Sequence, residues 1–226
     1  MTRMALVGLG AWIAFGAPAG ATASAASTPT KYHSDKHGYA ITLPAGWAPV
    51  PRNQLRIMRE AAREESGVEV DAGFYNALKG GFGYPYVAVL FTPYPGGRMP
   101  RESAMRELVA SRGRARPGTT RADFSADTKS YVIEHPLTVP QTGQIRIMIC
   151  GHFGKRGLVE IAGFSRENEY GAVEPVFRRL DSTFAFDPEA ESEHPGGAKI
   201  GNAMWYVLAG LVGVVVASAL LRIFRR

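Results

Sequence analysis

The sequence predicts an α+β fold, with a central, mostly antiparallel sheet of about six strands carrying three helices. Three observations lead there. Short β-patterned runs such as "YAITL" and "QIRIMICGHF" are bounded by turn residues. Three other stretches carry apolar residues at helical spacing. Finally, "GKRG" at 154–157 joins two apolar runs as a hairpin turn, which makes those strands antiparallel neighbours.

The elements follow in order. "YAITL" at 39–43 alternates as a strand and stops at Pro44, which has no N–H to donate. Asn53 is placed to cap a helix whose stripe is Leu55, Met58, Ala61 and Ala62, with Gly67 ending it. "VEVDAGF" sets Val68, Val70 and Ala72 against Glu69 and Asp71, the pattern of a half-exposed strand. "YVAVLFT" at 86–92 is continuously apolar, as a strand covered on both faces must be. Pro100 suits a first helical turn. Ala104, Met105, Leu108 and Val109 then form a buried face, and Gly113 is placed as the C-cap. "DFSADTKSYVIEH" is expected as one strand with a weak start. Val173, Val176, Phe177 and Leu180 mark the last helix, with Pro175 setting its regular start near Glu174. "TFAF" closes the sheet.

Two segments flanking this domain carry topology signals. Arg3, an apolar run at 4–15 and the small residues of "AGATASAAS" form a secretory signal peptide, 1–25; an uncleaved anchor is the other reading. Residues 26–36 are a polar lead-in, 37–187 the domain and 188–202 a flexible linker. Residues 203–222 form a transmembrane helix, and 223–226 a basic cytoplasmic end. The uncharged part of that run reaches roughly 29 Å as a helix, close to the hydrocarbon thickness. Trp205 and Tyr206 open it and Arg222, Arg225 and Arg226 close it. The ectodomain is therefore expected in the periplasm, and the C-terminus inside the inner membrane. Ala209, Gly213 and Ala217 share one face of the span, a spacing that permits close packing on another helix. The tail also resembles three-part C-terminal sorting tags, in which a protease removes the span. The net charge of +6 would ordinarily raise nucleic-acid binding. Four arginines in the two end segments account for most of it, leaving the domain at about +2, so no nucleic-acid partner is expected.

"DKHGYAITLPAGWAPVP" and "GLVEIAGFSRENEYGAVEPVFRRLDSTFAFD" resemble the opening and the ending of the PsbP-like family, over roughly 32–187. The resemblance implies an α/β/α sandwich. That fold is shared by photosystem-associated lumenal proteins, a Ran-binding nuclear import factor and many bacterial exported proteins. It implies no catalytic set, and its members' functions are unrelated. The C-terminal anchor sets this chain apart from the soluble plant members and points to a bacterial exported one.

No nucleophile elbow, zinc-binding helix motif, phosphate loop or dinucleotide fingerprint occurs, so no cofactor or metal is expected. "HSDKH" would place His33, Asp35 and His37 on one strand face, but a closed metal site needs a fourth ligand that the sequence does not name. Cys150, the only cysteine, is expected buried, and His152 would share its strand face without an orienting third group. Pro44, Gly46 and Trp47 are expected to turn the chain and close one end of the core. Two loops are candidates for contact with a partner or ligand. "KGGFGYPY" offers Phe82, Tyr84 and Tyr86 on a glycine-freed backbone, and "SRGRARPGTTR" offers Arg112, Arg114 and Arg116. The expected function is a non-enzymatic interaction or assembly module that meets the membrane and a membrane-protein partner. The alternatives are a lipid or glycan sensor, or an enzyme with an unrecognised site.

Overall fold

The computed structural model describes residues 28–191, apart from 67, 95–96 and 140–141. Its strands are β1 (Thr30–Ser34), β2 (Tyr39–Leu43), β3 (Trp47–Pro49), β4 (Glu69–Asn76), β5 (Tyr86–Pro93), β6 (Arg121–Ser125), β7 (Ser130–Val139), β8 (Gly143–Phe153), β9 (Gly157–Arg166) and β10 (Ala185–Phe186). The helices are α1 (Arg52–Ser66), α2 (Glu102–Arg114) and α3 (Tyr170–Ser182). Seven strands pair in the order β3-β4-β5-β9-β8-β7-β6, every neighbour antiparallel. The other three form a separate sheet, β1-β2-β10. The α+β expectation holds, with more strands than the six expected among the described residues. The extra ones are β1, inside the expected polar lead-in, β3, just after the Gly46 turn, and the split of "DFSADTKSYVIEH" into β6 and β7 at the turn around Lys129 (φ 46°).

The large sheet is covered on both faces. Tyr86, Ala88 and Leu90 of β5 pack with Met58 of α1, with Met105 and Leu108 of α2, and with Ile147 and Phe164. Val87 and Val89 of the same strand face the opposite core, with Ile41, Trp47, Val173, Phe177 and Leu180. The unbroken apolar run of β5 is thus explained by burial on alternate sides. Each such fully buried aliphatic side chain contributes roughly 1.5–3 kcal/mol. Trp47 is buried and meets Phe177 edge-on at 6.5 Å, closing that core as expected, and Gly46 supplies the positive φ of 82° in the turn before it.

Four local expectations are corrected. Between Val70 and Ala72 the β4–β5 register shifts, leaving Asp71 as a one-residue bulge. Val68 and Val70 therefore enter the α1/α2 core while Ala72 and Phe74 enter the other. The second helix does not stop at Gly113 but continues to Arg114. Gly113 is there for close approach instead: a Cβ on it would lie 2.8 Å from that of Ala122 on β6. The third helix starts at Tyr170, ahead of Pro175. Pro175 offers no N–H to the carbonyl of Gly171, and both residues sit on the exposed side, where water can satisfy that carbonyl. The expected linker is docked at its beginning: Ala190 is buried, and its carbonyl accepts from the N–H of Lys155 at 2.9 Å. Among the described residues no helix is long and apolar enough to cross a membrane. The expected span at 203–222, with Ala209, Gly213 and Ala217, lies outside them.

Candidate functional site

Two of the three candidate arginines are inside the protein. Arg112 is 1% exposed, and its guanidinium donates to the carboxylate of Glu160 on β9 and meets the Tyr131 hydroxyl. Burial works against the charge on Arg112, but Glu160 and then Tyr131 outweigh it and raise its pKa. Arg116 is buried beside it, its pKa lowered by burial and by the charge of Arg112. Only Arg114 reaches the surface, and it pairs with Glu107 at 2.7 Å. The expected cationic loop is therefore corrected: the helix turns Arg112 inward as the next position of the stripe Met105, Leu108, Val109.

The aromatic loop lies at the end of the sheet where β5 begins. Tyr86 is 1% exposed and stacks on Phe164 at 4.7 Å, so its place among the contact residues is also corrected. Phe82 and Tyr84 are half-buried over it, at 5.4 and 5.5 Å from its ring, and Phe82 meets Tyr75 edge-on at 5.7 Å. The residue that does face solvent is not among the sequence candidates. Leu78, in a single 3-10 turn at Ala77–Lys79, is 71% exposed. The Asn76 side chain accepts from its N–H at 3.1 Å, and Lys79 pairs with Glu169 at 2.6 Å, holding the turn against the start of α3. The loop thus runs from an exposed apolar residue, Leu78, which lies over Gly46, to the packed rings of Phe82 and Tyr84.

Cys150 and His152 do share a face, and a third group exists. His152 Nε2 lies 2.8 Å from Asp181 Oδ1 of α3, with Phe184 stacked on the imidazole at 3.9 Å. The pair lines a groove of about 750 Å³ with Ser130, Phe153 and Phe186. Cys150 itself is 2% exposed, and burial first, then the Asp181 carboxylate, push its thiol well above the ordinary range. A thiolate is the nucleophilic form, so this environment opposes thiol catalysis.

The "HSDKH" segment is divided by its turn. His33 on β1 has both ring nitrogens engaged, by Asp35 at 2.8 Å and by Asp187 at 3.0 Å, and these bonds raise its pKa, Asp187 foremost. His37 turns the other way. It is 7% exposed, lies flat on Phe91 at 3.8 Å, and aims Nε2 at Glu69 and Asp71 of β4, at 3.6 and 3.8 Å. Gly38 permits that turn with φ 66°, its N–H bonded to Ser34 and its carbonyl to the N–H of Asp187. Asp71 accepts from the Tyr39 hydroxyl and, at 3.3 Å, from that of Tyr32. Glu69 pairs with Lys36; its burial opposes ionisation, but Lys36 and His37 hold its pKa below the usual carboxylate value. Both carboxylates were visible in sequence as "EVD", but nothing there linked them to His37, 32 and 34 positions away.

Compared with known proteins, the chain matches no family model and no curated protein. Among solved structures it is similar to cyanobacterial PsbP from Synechocystis sp. PCC 6803, determined in solution, with a TM-score of 0.49 and 14% identity. The likeness covers 76% of this chain and 98% of that one. No activity follows from it.

Proposed function

We propose that this chain is a non-enzymatic interaction module, held on the periplasmic face of the inner membrane by its C-terminal span, that binds a membrane protein through the 77–85 loop. The observation that carries the reading is Leu78, the one large apolar side chain exposed among the described residues, at the start of a loop whose Phe82 packs on Tyr75 and Tyr86. The Asn76 bond and the Lys79–Glu169 pair hold the backbone of its turn, which lowers the cost of ordering the loop on docking. The chain leaves the domain beside Lys155, at the opposite end of β9 from the loop, so the tether does not obstruct it. The helix face of Ala209, Gly213 and Ala217 offers the same partner a contact within the membrane. The lipid-sensor alternative is weakened, because Arg112 and Arg116 are withdrawn from the surface.

A photo-crosslinking residue at position 78 of the full-length chain, in native membranes, tests this. A discrete higher-mass adduct is expected from position 78 and none from position 155, at the other end of the sheet. No adduct at 78, or equal adducts at both positions, would overturn it. Release of the chain from membranes by alkaline carbonate would remove the anchor from the reading.

A further inference from the structure

We infer that His37, Glu69 and Asp71 form a binding site for a divalent transition-metal cation of the zinc or manganese class, independent of the partner surface proposed above. Three features carry it. One potential ligand atom from each residue lies within 4.8 Å of the others. His37 is more than nine-tenths buried, and its Nε2 has no hydrogen-bond partner although it faces two carboxylates. A buried imidazole nitrogen without a partner is costly to leave so, and a cation would satisfy it.

The distances favour a shared cation over direct bonds. His37 Nε2 stands 3.6 Å from Glu69 and 3.8 Å from Asp71, too far for hydrogen bonds. With metal–ligand bonds of about 2.1 Å, the edge of a tetrahedron is about 3.4 Å. Closing by a few tenths of an ångström brings His37 to ligand spacing from each carboxylate, and the side chain of the half-exposed Glu69 has the freedom to draw in toward Asp71 from a separation of no more than 4.8 Å. His33 offers the contrast: both its nitrogens already have carboxylate partners, at the surface.

The supporting groups are those of a metal site. The Tyr39 hydroxyl donates to Asp71 Oδ2, which leaves Oδ1 turned toward His37. Phe91 fixes the imidazole plane. The bulge at Asp71 leaves that residue outside the β4–β5 pairing, next to the turn that carries His37. One imidazole and two carboxylates suit a first-row cation that accepts mixed nitrogen and oxygen ligands. Calcium and magnesium, which take oxygen ligands, fit less well. Lys36, paired with Glu69, is the cation that the metal would displace.

Titration of the untagged full-length chain in detergent with Zn²⁺ alone tests the site by calorimetry. One equivalent is expected, with affinity at least about tenfold lower in His37→Gln and in Glu69→Gln and unchanged in His33→Gln. Glu69 is partly exposed, so Glu69→Gln keeps the test valid if His37→Gln does not fold. Absence of saturable binding, affinity that survives Glu69→Gln, or loss of binding in His33→Gln would each overturn the inference.

Discussion

Arg112 on α2 reaches across the α1/α2 core to Glu160 on β9, and the two side chains are 1% and 0% exposed. A buried pair of this kind gives less than it appears to, because both charges were removed from water to make it. Removing one partner is another matter. Arg112→Met leaves the Glu160 carboxylate buried with only Tyr131 to bond it, at a cost of about 3–5 kcal/mol. Denaturant unfolding should show that loss, and Arg112→Met combined with Glu160→Met should recover most of it. Additive losses in the double variant would show that the pair is not coupled.

His135 gives the fold a pH dependence with a definite sign. Burial first, and the charge of Arg116 second, push its pKa down to about 4. Between that value and the unfolded pKa of about 6.5 the unfolded chain binds the extra proton. The contribution is complete above about pH 6.5 and is lost as pH falls toward 4, by up to about 3 kcal/mol. The stability difference between the wild type and His135→Gln should shrink over that window. Parallel curves from pH 7 to pH 4.5 would show that His135 does not titrate as described.

The regular parts of this fold were legible because they repeat. The β5 run, the three helical stripes, the 154–157 hairpin and the closing strand follow from period and turn chemistry alone. The inward arginine was legible in principle as well. Arg112 extends the stripe of Met105, Leu108 and Val109, and Glu160 is a lone acid in an otherwise apolar strand, 48 residues on. Each is costly in isolation and tolerable only together. The His37 cluster was not legible, because it depends on a bulge and on where a separate three-stranded sheet settles. Neither leaves a periodic trace.

Cys150 should be silent toward thiol reagents while the protein is folded. Its sulfur is sealed on the β2/α3 side of the sheet, and the high pKa keeps it as the thiol. Mass spectrometry after iodoacetamide treatment should find adduct only in denaturant, at the rate of unfolding. Rapid labelling of the native chain would contradict both the burial and the raised pKa, and would reopen thiol chemistry beside His152 and Asp181.

Two glycines of the α3 region should respond to alanine in opposite directions. Gly163 on β9 lies under the Phe177 ring, and a Cβ there would stand 2.7 Å from ring carbons. Phe177 is 3% exposed, with Trp47 against its edge, so the ring has no free space to enter. Gly163→Ala should therefore lift α3 from the sheet and cost about 1–3 kcal/mol, partly recovered by adding Phe177→Leu. Gly171, in the first turn of α3, has nothing within 4 Å of the same atom. Gly171→Ala should stabilise by about 0.5–1 kcal/mol through helix propensity alone. Thermal unfolding of the two variants separates close packing from backbone freedom, and equal shifts would refute the packing account of α3.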